Sequence, residues 1–185
     1  MKSMSNLIDV LSTAGLRTGE ILPRTEIHRL GKHHRAVHLY LFNSKNEILL
    51  QRRALTVDHY PGVFSISVLG HIDAGEFSAN AVRREVEEEL GIAASQLKID
   101  FLFSYYSEAT LNETYIDRQF NDIYVTRADI EPERIQFDRS EVSEIKFVSF
   151  ENFREMIVNA SGDLAPVYAN ECQDLVYFLG DWFAS

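Results

Sequence analysis

Residues 70 to 92, GHIDAGEFSANAVRREVEEELGI, constrain this chain more than any other stretch. The hydrophobic rhythm predicts a helix from Ser78 to Leu90, with Ser78 as its N-cap and Gly91 as a left-handed C-cap. At about 100° per residue, Ala79, Val82, Val86 and Leu90 share roughly an 80° arc. Glu85, Glu88 and Glu89 occupy a neighbouring arc of about 100°. One edge of the helix is therefore fit for burial, and the next presents three carboxylates together. Such a cluster repels itself by roughly 0.2–0.5 kcal/mol per exposed i,i+4 pair, and by more where water is excluded. A hard divalent cation relieves the repulsion, because Mg²⁺ and Mn²⁺ take carboxylate and water oxygens and also grip phosphates. A solvated acidic face is the competing explanation. What weighs against it is the register of Gly70, Gly75 and Glu76 with Arg84.

The complete pattern, G-x5-E-x7-R-E-U-x-E-E-x-G-U with U apolar, runs from Gly70 to Ile92 and resembles the Nudix box of pyrophosphohydrolases, with every specified position filled. A chance match is on the order of one in a million per chain at ordinary residue frequencies. The resemblance implies an α/β (α+β) Nudix fold, a mixed β-sheet sandwiched between α-helices. It implies that Glu76 pairs with Arg84 to lock the loop across the helix start, a task suited to the planar guanidinium fork. It also implies Glu85, Glu88 and Glu89 as metal ligands for Mg²⁺, or alternatively Mn²⁺, with Glu85 as base or water-orienting group. The catalytic set is thus Glu85, supported by Arg84 and Glu76. Gly70 and Gly75 are read as providing turn freedom.

Further segments extend the likeness: His34-Arg35-Ala36-Val37-His38, Leu41-Phe42-Asn43, Leu50-Gln51-Arg52-Arg53, Tyr60-Pro61-Gly62 and Gly70-His71. These are similar to the isopentenyl-diphosphate-isomerase-like branch of the superfamily. Isomerases of that branch use a cysteine just before the Gly-His pair and a glutamate on a later strand, and bind metal through histidines and carboxylates. Here the cysteine position holds Leu69, the glutamate falls on Gln119, and an acidic ligand falls on Asp117. A lysine pair is replaced by Val57-Asp58. Allylic isomerisation needs a proton donor and an acceptor, and leucine and glutamine supply neither. Hydrolysis of a small diphosphate, such as a nucleoside diphosphate derivative, is the better reading; an isomerase-like enzyme and a non-catalytic nucleotide sensor are the alternatives. Arg53 is the expected phosphate contact, with His71 also on the substrate side and Arg52 on the opposite strand face. Glu108, Glu113, Asp117 and Glu141 are candidates for a further carboxylate.

The formal charge of −10, from 18 basic and 28 acidic residues, argues against nucleic-acid binding. A single cysteine, Cys172, fits a reducing cytoplasm. No apolar run suggests a signal peptide or a membrane span. The chain reads as one domain over 1–185, with 1–35 as an N-terminal extension, and a homodimer is compatible with the resemblance. A short helix is expected within 1–17 and extended chain over 18–35. Val37–Phe42 and Glu47–Arg52 read as a strand pair around Asn43-Ser44-Lys45-Asn46. Strands are also expected at Val63–Leu69, Leu97–Tyr106, Phe120–Thr126 and Glu144–Val148, and helices at Glu151–Val158 and 167–183. Among the histidines, His34 and His71 could build a second metal site, but the sequence favours structural roles. His28 and His59 carry no signal. Cys172 reads as core, Trp182 as a packing anchor, and Phe101, Phe103, Tyr105 and Tyr106 as core strand residues rather than a base-stacking face.

Overall fold

The computed structural model describes residues 7–57, 59–159, 162–165 and 169–184. Residues 1–6, Asp58 and residues 167 and 168, on which parts of the expectations fall, lie outside the described residues. The N-terminal segment differs from expectation. It forms β1 (Leu7–Leu11) and β2 (Arg17–Pro23), an antiparallel pair, and then the helix α1 (Arg24–Leu30). Pro23 stands at the N-cap of α1, and Gly31, at φ 59°, ends it in the left-handed conformation. A helix this short, with Ile27 its one buried apolar residue, has too little periodicity to be seen in a sequence.

The main sheet has seven strands: β3 (His34–Phe42), β4 (Glu47–Arg53), β5 (Phe64–Ser65), β6 (Val68–His71), β7 (Ile99–Asn112), β8 (Tyr115–Arg127) and β9 (Val142–Ser149). Its order is β5-β4-β3-β8-β7, with β6 also on β3 and β9 also on β4. β3 and β8 run parallel and the other pairs are antiparallel. The β3–β4 turn is the expected one, with Asn43 Oδ1 accepting from the amides of Lys45 and Glu47. β7 and β8 are longer than predicted because their distal halves form a polar hairpin that apolar patterning does not reveal.

Alternation along β3 divides the interior. Val37, Leu39 and Leu41 pack with Val82, Val86 and Leu90 of α2 (Ser78–Leu90). Tyr40 and Phe42 face the other way, toward Phe153 of α3 (Phe150–Val158) and Leu175 and Leu179 of α4 (Ala169–Ala184). The sheet is therefore layered between helices, as the Nudix likeness implied. Cys172 is core, and Trp182 packs 5.8 Å from the Phe42 ring. Phe103 stacks on Phe178 at 4.7 Å, and Tyr105 packs against the same core. Phe101 and Tyr106, expected inside, are 54% and 38% exposed on β7, the last strand in the sheet order.

The phase of α2 departs from the sequence reading in a way that matters. Ala79 is exposed, and Ala81, Val82, Val86, Glu89 and Leu90 are the buried positions. At about 100° per residue, this buried arc is centred on Glu89. The helix is rolled toward its carboxylates, drawing Glu89 to 8% exposure. Nor is Ser78 the cap: Phe77 occupies the N-cap, and Ser78 Oγ lies 2.8 Å from the Tyr124 hydroxyl. Gly91 does end the helix at φ 64°.

Candidate active site

Strand β6 runs beneath α2, and Gly70 on that strand is the point of closest approach. A Cβ built there would lie 2.0 Å from Glu85 Cδ and 2.2 Å from its Oε1. Gly70 is required for close approach rather than for turn freedom, a correction to the sequence reading. Gly75, at φ 79°, does supply the turn. Arg84 then binds the loop to the helix. Its Nε donates to Glu76 Oε1 (3.1 Å) and its Nη2 to Glu76 Oε2 (2.8 Å), the expected bidentate clasp. The same guanidinium donates to Glu85 Oε1 (2.7 Å), Glu88 Oε2 (3.4 Å) and the His71 carbonyl (3.0 Å). One cation thus sets three carboxylates and the end of β6.

Burial raises the Glu85 carboxyl to about 7, against the pull of Arg84. Burial, then Glu85 and Glu141, holds Glu89 well above the ordinary glutamate range, although Gln51 Nε2 donates to it at 3.0 Å. Glu141 acts on both groups, so of the four distal candidates it is the one brought to the α2 carboxylates. Glu108 is paired with Arg118 at 2.9 Å, and Glu113 is exposed at the β7–β8 turn. The acidic group opens into a cleft of about 960 Å³ that also contains Arg24, Arg53, Tyr115 and the floor of the sheet. Arg53, which lines the cleft, donates from its Nε to the His59 carbonyl at 2.8 Å. Arg52 turns to the other face and pairs with Glu144 and Asp163, as expected. Arg24, at the start of α1, hydrogen-bonds Tyr115, whose hydroxyl burial pushes up to about 12.

A second donor set lies across the same cleft. His28, His34 and His71 bring one nitrogen each within 4.8 Å of one another. Asp117 Oδ1 is 3.6 Å from His34 Nε2 and 3.7 Å from His28 Nδ1. These three atoms are buried and have no hydrogen-bond partner. Burial lowers His28 to about 3 and His34 to about 4, and drives His71 far down, so the rings are neutral and fit to ligate. Asp117 is pushed up to about 6 by burial. Neutral imidazoles beside an orphaned carboxylate suit a transition metal such as Zn²⁺ or Mn²⁺, whereas the glutamates suit Mg²⁺. The sequence had weighed against a histidine site and passed over His28 altogether. His71 lines the cleft, but its ring stacks on His34 at 5.3 Å and joins this cluster.

The NUDIX domain family matches residues 32–169, three quarters of the sequence. The chain belongs to the Nudix family. It is 36% identical over 166 residues to Nudix hydrolase 3 of Arabidopsis thaliana, a match that covers 88% of this chain and 22% of that much longer one. It is 34% identical to isopentenyl-diphosphate Delta-isomerase 2 of Photorhabdus laumondii, covering 74% of each. Among solved structures, DR0079 of Deinococcus radiodurans superposes with a TM-score of 0.74 at 22% identity, over 91% of this chain and 98% of that one. The isopentenyl-diphosphate-isomerase-like branch is thereby supported. Nudix proteins generally use divalent metals and are generally pyrophosphohydrolases. In this Nudix protein, Leu69, the residue expected at the isomerase cysteine position, lies on the cleft wall beside Gly70.

Proposed function

We propose that this protein is a divalent-metal-dependent pyrophosphohydrolase that cleaves a diphosphate linkage in a nucleoside diphosphate derivative or a related small diphosphate. The observation that carries this is the gathering of Glu85, Glu88, Glu89 and Glu141 at a cleft whose other wall holds Arg24 and Arg53. Glu85 and Glu89, held together with raised proton affinity, suit a divalent cation. Mg²⁺, or Mn²⁺ in its place, would be held by Glu85, Glu88 and Glu89, and would supply charge neutralisation on the diphosphate and Lewis acidity toward the attacking water. Arg53 and Arg24 bind the phosphoryl oxygens and keep the phosphorus in line with that water. Glu85, fixed by Arg84, orients the water and takes up its proton; Glu76 acts through Arg84. The bond from phosphorus to the bridging oxygen breaks, and the leaving phosphate carries away the electron pair. His28, His34, His71 and Asp117 would hold a second ion. Residues 1–35 are an extension to the Nudix domain, and the enzyme works in the cytoplasm, consistent with its one buried cysteine. No helix among the described residues is long and apolar enough to cross a membrane.

The test is phosphate release from a panel of nucleoside diphosphates, nucleotide sugars, dinucleotides and prenyl diphosphates, with Mg²⁺ or Mn²⁺. One class should be cleaved, and Glu88→Gln should reduce turnover at least ~100-fold while the protein stays folded. Full activity in that variant would sink the proposal. An isomerase is the reading the Photorhabdus relative invites, and Leu69 with Gln119 opposes it. Leu69→Cys alone should give no conversion of isopentenyl diphosphate, because Gln119 cannot exchange a proton at neutral pH. Detectable isomerisation would reverse that judgement.

A further inference from the structure

Strand register lays out the floor of the cleft row by row. Asn121 of β8 stands beside Ala36 of β3, with Tyr105 of β7 on its other side and His71 of β6 beyond Ala36. One pleat deeper, His38 of β3 lies between Ile123 of β8 and Leu69 of β6. Partners in register project on the same face, so Ala36, the smallest member, leaves a hollow bordered by Asn121, His38 and Leu69. All of these except Ile123 line the cleft.

The hollow is edged by a hydrogen-bond acceptor. Asn121 is 2% exposed; its Nδ2 donates to Ser107 Oγ at 2.9 Å, and its Oδ1, though buried, has no hydrogen-bond partner. His38 is pinned from behind by Glu171, the third residue of α4. Its Nδ1 lies 2.9 Å from Glu171 Oε2, and the Tyr40 hydroxyl donates to Glu171 Oε1 at 2.5 Å. A carboxylate already accepting from Tyr40 requires the proton on His38 Nδ1. Asn121 Oδ1 is a buried acceptor without a donor, which is costly, and an alkyl chain laid over it would leave it unsatisfied.

We propose that this hollow is the subsite for the organic part of the substrate, and that it selects a planar group presenting an amino N–H edge, as adenine and cytosine do, over keto bases and alkyl chains. Asn121 Oδ1 reads the amino group, His38 shapes the floor, and Tyr105 offers an aromatic wall. The inference rests on the diphosphate reading of the neighbouring arginines and glutamates, and narrows the substrate class within it. Exocyclic amines at adenine N6 and cytosine N4 are the donors that match such an acceptor. Glu171 and Tyr40 are positioning residues, acting through His38.

The test uses uncleavable ligands, so that binding is read apart from turnover. The α,β-methylene diphosphates of adenosine, inosine, cytidine and uridine, with an isopentenyl methylene-bisphosphonate, are titrated calorimetrically into the whole protein with Mg²⁺. Adenosine should bind about 10-fold or more tightly than inosine, and cytidine than uridine, with the alkyl compound weakest. Asn121→Leu should erase the amino-over-keto preference by weakening the amino members. Asn121→Asp, which keeps the acceptor and nearly the same shape, should retain it. Equal affinity for amino and keto members, tighter alkyl binding, no nucleoside binding, or a preference that survives Asn121→Leu would overturn the assignment. If the panel shows no hydrolysis but the preference holds, the catalytic proposal falls and this one stands. Hydrolysis without the preference gives the reverse.

Discussion

Gly70→Ala will cost about 100-fold or more in metal-dependent turnover while leaving the protein folded. The new Cβ would fall 2.0 to 2.2 Å from three atoms of the Glu85 side chain, a separation no relaxation of a few tenths of an ångström can absorb. Glu85 must therefore swing away, breaking its 2.7 Å contact with Arg84 Nη1 and leaving the acidic cluster. Displacement of a reacting group by about 1 Å is enough to cost ~100-fold in rate. Gly75→Ala is the control. It sits at φ 79° with no atom within 4 Å of the new Cβ, so it should lose ~1–2 kcal/mol of stability to backbone strain and little activity. Steady-state rates with Mg²⁺ and thermal melts on both variants decide the matter. Wild-type turnover in Gly70→Ala would show that Glu85 does not have to be where the structure puts it.

The second expectation concerns Glu89, and its sign runs against the usual effect of altering an active site. In metal-free buffer at pH 8, Glu89→Gln should melt a few degrees higher than the wild type. Burial holds the folded-state pKa of Glu89 well above its ordinary value of 4.5. The folded chain therefore binds this proton more tightly than the unfolded chain, and stability falls as pH rises through the interval between the two values. Glu85, raised to about 7, adds to the same trend between 4.5 and 7. Glutamine cannot ionise and escapes the penalty. Buried neutral histidines act in the opposite sense, losing stability as pH falls below their unfolded value, but His28 and His34 are common to both proteins and cancel in the difference. The gap between variant and wild type in EDTA should be small at pH 4.5 and open toward pH 8. About 1 kcal/mol corresponds to roughly 2–4 °C for a domain of this size. Adding Mg²⁺ should raise the wild-type melting temperature and hardly move the variant. A variant less stable than wild type at pH 8 in EDTA would contradict the strain attributed to Glu89.

The parts legible in the sequence are those whose information is local. The helix and its Gly91 stop follow from spacing within one segment, and the clasp of Glu76 with Arg84 is the one the Nudix resemblance implied. The roll of α2 toward Glu89 was not legible. Apolar periodicity places the buried arc over Ala79 and Val82, and only the close seat on Gly70 turns it toward the carboxylates. His28 and Arg24 share a face of a helix seven residues long, too short to announce itself. Glu141 was one of four equal candidates until β9 paired with β4 and brought its N-terminal end beside Arg53. His38 read as one member of a histidine-rich strand; its partner Glu171 is about 130 residues away, on a helix whose pattern marks it only as amphipathic.

The parallel pairing of β3 with β8 has a consequence for how this molecule comes into being. His34 meets Gln119, and Phe42 meets Arg127, each about 85 residues further along the chain. The strand at the centre of the sheet must wait unsatisfied on one edge until the chain has been made as far as β8. Loop closure over that distance precedes any reward from pairing, which places a slow and cooperative step late in folding. Helix α2 can form early, but the cleft beside it cannot. A nascent or truncated chain ending before β8 would carry a complete signature sequence and no enzyme, with an exposed strand edge in its place.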